Sequence, residues 1–112
     1  MRTLPAFDAD MDTLARKYRS VRLDIEAFVR LLDSDPRKFR GDRVSGFVPH
    51  EVYKARVMSR DLQKGKSGGW RVILEHSDDE YVLVHCYSHS GSSQSGRSES
   101  ALREEIRHRL GS

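Results

Sequence analysis

An α+β domain, with an N-terminal strand and helical hairpin on a mainly antiparallel sheet and a C-terminal helix, is predicted by three observations. Apolar residues recur at helical spacing through the first third of the chain, as Phe7, Met11, Leu14 and Tyr18 and then Val21, Ile25, Phe28, Val29 and Leu32. Period-two segments rich in β-branched and aromatic residues follow between Val52 and Tyr87. A last apolar stripe, Leu102, Ile106 and Leu110, returns at intervals of four.

Taken in order, a short strand over about Arg2 to Phe7 leads to Asp8 and Asp10, either of which can cap a helix. A break at Arg19 and Ser20 separates the two helices, and Asp33-Ser34-Asp35-Pro36 ends the second, because the residue before proline is pushed out of helical geometry. Both apolar stripes must be buried, and the sheet that follows is the surface left to cover them. The opposite sheet face is then expected to be free. Residues 37 to 50 read as a basic loop with turn residues Gly41, Gly46 and Pro49 and room for a short strand around Arg43 to Ser45. Strands are predicted over Val52 to Met58, Trp70 to His76 and Tyr81 to Tyr87, with Ser77-Asp78-Asp79-Glu80 as the turn between the last two. Simple alternation gives Val82, Val84 and Cys86 to the core and Leu83, His85, Tyr87 and His89 to the other side. Ser88 to Ser98 holds six serines and two glycines, the composition of a flexible segment, and a helix is expected over 99–110.

The 112 residues suit a single domain with one modest core. Formal charge is only +3, but from Arg37 to Arg71 ten basic residues face three acidic ones, enough to steer a polyanion, with a solvated basic face as the plain alternative. The single cysteine, Cys86, excludes an intramolecular disulfide and cysteine-rich zinc sites, and its strand position reads as a buried, inert thiol. No membrane-length apolar run and no signal-peptide core are present, so a reducing, cytoplasmic location is expected.

The chemistry concentrates on two strands. In Val52-Tyr53-Lys54-Ala55-Arg56-Val57-Met58, Lys54 and Arg56 share one face, and in Trp70-Arg71-Val72-Ile73 the residue opposite the packing side is Arg71. Three cations on one surface fit a phosphate. Trp70 shares the inward face with Val72 and reads as core rather than as a base-stacking platform. Lys64 and Lys66 flank glycines in a loop able to follow a nucleic-acid backbone, and with Arg43 they are the candidate RNA-contacting cations. Gly65-Lys66-Ser67 is not a Walker motif, because no glycine stands at the required distance upstream. His85 and His89 would lie about 13 Å apart along a strand, too far for one ion, so no metal and no cofactor are expected.

The order of these elements, with Tyr53-Lys54-Ala55-Arg56, Gly65-Lys66-Ser67-Gly68-Gly69-Trp70-Arg71-Val72-Ile73 and Tyr87-Ser88-His89-Ser90, resembles the RelE/ParE superfamily of bacterial toxins over essentially the whole chain, and most closely its RelE and HigB branch. The resemblance implies a RelE-like fold and the toxin of a type II toxin–antitoxin system: a metal-independent endoribonuclease cutting messenger RNA on the ribosome. It also implies a cognate antitoxin, through which the complex contacts operator DNA, and which is expected to cover the basic face or displace the C-terminal helix. By position, Lys54 and Arg56 match phosphate-contacting residues, and Arg71 matches the arginine that follows the family's glycine–aromatic pair. His89 stands where related sequences carry lysine, and the C-terminal tyrosine of RelE has no counterpart, Tyr87 being the nearest substitute. Arg16, Lys17, Arg19 and Arg22 are expected to dock on ribosomal RNA. Because other members inhibit DNA gyrase, a non-nuclease of the same fold, either a gyrase inhibitor or a catalytically inactive antitoxin-binding homologue, is the alternative.

Overall fold

The computed structural model describes residues 1–60, 69–88 and 99–111. In chain order these form β1 (Arg2–Thr3), α1 (Pro5–Ala15), α2 (Val21–Ser34), α3 (Pro36–Phe39), β2 (Asp42–Val44), β3 (Glu51–Val57), β4 (Trp70–Ser77), β5 (Glu80–Ser88) and α4 (Glu99–Gly111). One five-stranded sheet has the order β1-β5-β4-β3-β2 and is antiparallel except for the β1–β5 pair, giving the α+β class the pattern predicts.

The first strand is shorter than predicted. It stops at Thr3 because Pro5, with φ already fixed for a helix, occupies the first turn of α1. Phe7 therefore sits inside the helix, and neither aspartate caps it: Leu4 is the N-cap, Asp8 accepts a hydrogen bond from the Thr3 hydroxyl, and Asp10 lies mid-helix. The helix α2 has the expected bounds. Asp35 ends it and at once caps α3, accepting from the Lys38 amide at 3.3 Å, so part of the expected loop is a short helix. The β4–β5 turn closes with Asp78 at φ 52° and Asp79 at φ 62°, the two left-handed residues of a type I′ hairpin, whose twist matches the flanking strands.

The hairpin α1–α2 covers one sheet face. Phe7, Met11, Val21, Ile25, Phe28 and Leu32 pack against Ala55, Val57, Trp70, Val72, Leu74, Leu83 and Cys86. Each large side chain so buried contributes about 1.5–3 kcal/mol. Trp70 is core, as read, and its indole N–H donates to the Asp24 carboxylate at 3.0 Å.

Two expectations need correction here. A bulge in the β4–β5 register, between Ile73 and Leu74, breaks the alternation of β5, so Leu83 and Cys86 both join the hairpin core while Val84 turns to the other face. That other face is not free along its length. There α4 lays Leu102 and Ile106 over Val52, Ile73, Val84 and Phe47, forming a second apolar cluster.

Candidate functional site

The register of the central strands sets Arg56 opposite Arg71 and Arg71 opposite Tyr87. Cross-strand neighbours of this kind have Cα atoms about 4.5–5.5 Å apart, so the three side chains rise from one face as a row. Lys54 stands two residues before Arg56 on the same face, in line with Ile73 and His85. The structure thus brings together Lys54, Arg56, Arg71 and Tyr87.

Local sequence explains the row. Tyr53, Ala55 and Val57 must face the hairpin, which turns Lys54 and Arg56 outward, and Trp70 and Val72 do the same for Arg71. Gly69 holds the start of β4 against β3: at φ 126°, an added Cβ would come within 2.6 Å of the Val57 carbonyl oxygen.

The electrostatics are uneven. Arg56 is exposed, Lys54 and Tyr87 are half-buried, and Arg71 is only 7% exposed. Among the described residues no carboxylate reaches Arg71; its Nη1 makes one long contact, 3.5 Å, to the Trp70 carbonyl. Burial, then the charge of Arg56, lower the Arg71 pKa from its ordinary value, while Tyr87 acts weakly the other way. Arginine still remains protonated. Two facing cations without a counter-ion repel each other across the strands. An anion placed over them turns that cost into attraction, and a phosphate accepts the two-pronged contact guanidinium groups offer.

The other candidates separate. Arg43 pairs with Tyr53 in register and lies over its ring at 5.8 Å, so it belongs to the hairpin side of the sheet, opposite Lys54 and Arg56. Lys64, Lys66 and His89 lie outside the described residues, as does most of the serine-rich stretch.

A residue the sequence gave no reason to pair is Asp10. Its carboxylate accepts from the Cys86 amide at 3.0 Å, meets His85 Nδ1 at 2.7 Å, and takes both Nη atoms of Arg109 at 2.7 and 3.0 Å. Burial pushes its pKa up, but the hydrogen bonds from His85, Arg109 and the Cys86 amide together hold it below the ordinary value. Arg109 also donates to the Val84 carbonyl at 2.9 Å. The strand β1 is too short to pair this stretch of the β5 edge, and a carboxylate and a guanidinium satisfy its backbone groups instead. His85 so placed rests 5.2 Å from the Tyr87 ring, beside the cationic row. The only signal in the sequence was an aspartate at position 10, in the middle of an amphipathic helix.

Cys86 behaves as read: it is buried, and burial, reinforced by Asp10, pushes its thiol up to about 12. Among the described residues no group of three or more His, Cys, Asp or Glu side chains could hold a metal ion, and no helix is long and apolar enough to cross a membrane. No family model, curated protein or solved structure matches this chain.

Proposed function

We propose that this chain is the toxin of a toxin–antitoxin pair, a ribosome-dependent messenger-RNA endonuclease acting without a metal. The observation that carries the reading is the Arg56–Arg71–Tyr87 row with Lys54 beside it: clustered cations that make no ion pair among the described residues, next to a phenol. Its agreement with the motif order that resembles RelE and HigB adds support.

In this reading Arg56, Arg71 and Lys54 hold the scissile phosphate and stabilise the charge that grows on its oxygens in the transition state. The 2′-hydroxyl attacks phosphorus, losing its proton to a nearby base, and the 5′-oxygen leaves with a proton from a nearby acid. The products are a 2′,3′-cyclic phosphate and a 5′-hydroxyl. Tyr87 and His89 are the groups proposed for proton transfer.

The burial of Arg71 favours the second reading, in which a homologue keeps the fold and the antitoxin contact without catalysis. Induced expression in a bacterium separates the two. Growth arrest with rapid loss of translation and cut messages supports the nuclease. Arrest with intact messages and accumulating DNA breaks assigns the chain to gyrase inhibition, and undisturbed growth to an inactive homologue. With purified ribosomes, cleavage should persist in a chelator, and His89→Gln should lower single-turnover cleavage by about a hundredfold, the contribution of one general acid or base. A rate within about twofold of wild type would remove His89 from the mechanism and move proton transfer to Tyr87, His85 or Lys54.

A further inference from the structure

Tyr87 has a strand beside it on one flank only. On β4 it faces Arg71, but β1 pairs with β5 no further than Leu83, so among the described residues no strand covers the outer flank of β5 from Val84 to Ser88. A half-buried tyrosine near such a strand end, resting in part on the α4 cluster, keeps rotamer freedom unless a further group takes it away. That freedom matters for chemistry, because a misplacement of about 1 Å can lower a rate by about a hundredfold.

The group in place is His85. It precedes Tyr87 by two residues and so shares its sheet face, in the next row with Ile73 and Lys54. Its buried ring lies 5.2 Å from the Tyr87 ring at an interplanar angle of 31°. The His85 ring is itself fixed from α1, with Nδ1 at 2.7 Å from Asp10 Oδ2. The same oxygen accepts from the Cys86 amide at 3.0 Å and from Arg109 Nη1 at 2.7 Å, while Arg109 Nη2 donates to the other oxygen at 3.0 Å. A carboxylate ringed by donors stays ionised and can only accept from His85, so the imidazole carries hydrogen on Nδ1. One tautomer and one ring orientation are thereby selected. Holding Asp10 does not call for an imidazole, since Arg109 and the Cys86 amide already reach both of its oxygens. What the imidazole adds is a flat face against Tyr87.

We infer that Asp10 is a positioning residue of the proposed site, acting through the His85 ring to hold the Tyr87 phenol beside Arg71. Its bearing on catalysis rests on the reading of Tyr87 as a proton-transfer group, whereas the placement of the ring stands apart from that reading.

The test uses the full chain and His85→Asn, whose amide nitrogen can donate to Asp10 as Nδ1 does but which has no ring to set against Tyr87. Single-turnover cleavage of ribosome-bound message should fall by about tenfold, with ribosome affinity within about twofold of wild type, and in a Tyr87→Phe background the same change should have no further effect. Apart from RNA, NMR of the histidine ring nitrogens should find hydrogen on His85 Nδ1 in the wild type, and side-chain couplings should report one χ1 rotamer for Tyr87 in the wild type and averaged rotamers in His85→Asn. If His85→Asn does not fold, His85→Gln, also an amide without a ring, takes its place. An Nδ1 without hydrogen overturns Asp10 as the orienting group. An unchanged Tyr87 rotamer overturns the positioning, as do equal losses of cleavage with and without the Tyr87 hydroxyl. Cleavage within about twofold of wild type, or a loss confined to ribosome affinity, overturns its role in the reaction. A wild-type protein that cuts no RNA but shows the rotamer change keeps the positioning and removes the nuclease reading.

Discussion

Arg109 and Arg71 are both largely buried, and the protein provides for them in opposite ways. Arg109 is held by both oxygens of Asp10, by Glu105 at 2.7 Å and by the Val84 carbonyl. Burial tends to lower its pKa, but the hydrogen bonds to Asp10 and Glu105 outweigh that and raise it. Among the described residues Arg71 has one long backbone contact and a second arginine beside it, and its pKa is lowered. A compensated buried charge ties elements together, here α1, β5 and α4. An uncompensated one costs the free chain desolvation and repulsion that a bound anion would offset.

Breaking the compensated member should have the largest effect. Arg109→Met leaves Asp10 without its main cation and should cost about 3 kcal/mol in urea denaturation, since removing one partner of a buried pair strands the other. A loss under about 1 kcal/mol would mean that His85 and the Cys86 amide suffice to hold Asp10. The same cluster sets an acid limit. The Asp10 pKa is lowered on folding below its ordinary 3.8, so its contribution is fully present above that value and is lost as pH falls through the folded one. Acid unfolding of Asp10→Asn should therefore show a shallower limb below pH 3.8 than the wild type.

Arg71→Ala tests the other member. On the proposed nuclease reading, single-turnover cleavage of ribosome-bound message should fall by about a hundredfold or more, while stability in urea holds or rises, because a buried repulsion is removed. Loss of stability comparable to Arg109→Met would make Arg71 a structural residue and erase the contrast.

Smaller effects concern the core between the two arginines. Trp70→Phe keeps the packing but leaves Asp24 short of its indole donor, and should cost about 1–3 kcal/mol by thermal or urea unfolding. For Cys86 the folded thiol is pushed up to about 12 from 9.0, so the unfolded chain releases its proton first and stability should decline between those pH values, by at most about 1.4 kcal/mol per pH unit. Cys86→Ala should remove that part of the slope, and the native thiol should resist alkylation at neutral pH.

The sequence spelled out whatever depends on neighbours in the chain. The stripes of α1 and α2, the β4–β5 turn, the two-residue alternation that turns Lys54 and Arg56 together, and the inward placing of Trp70 each follow from local periodicity or local dihedral preference. The site was legible to that extent, since three of its cations lie on strands whose facing the alternation fixes. Alternation failed in β5 because a bulge is invisible to a period-two pattern, and one extra residue moves Val84 across the sheet.

Tertiary structure alone decided the rest. Asp10 meets His85 and Arg109 across 75 and 99 residues of chain, a pairing set by where β1 stops and how α4 crosses the sheet. The burial of Arg71, the covering of Ile73 by α4 and the assignment of Arg43 to the opposite face likewise depend on which surfaces meet. Side-chain direction along a helix or strand is a property of the local backbone and can be read from residue order. Burial and charge compensation belong to pairs of distant elements, and they exist only once the chain has closed around them.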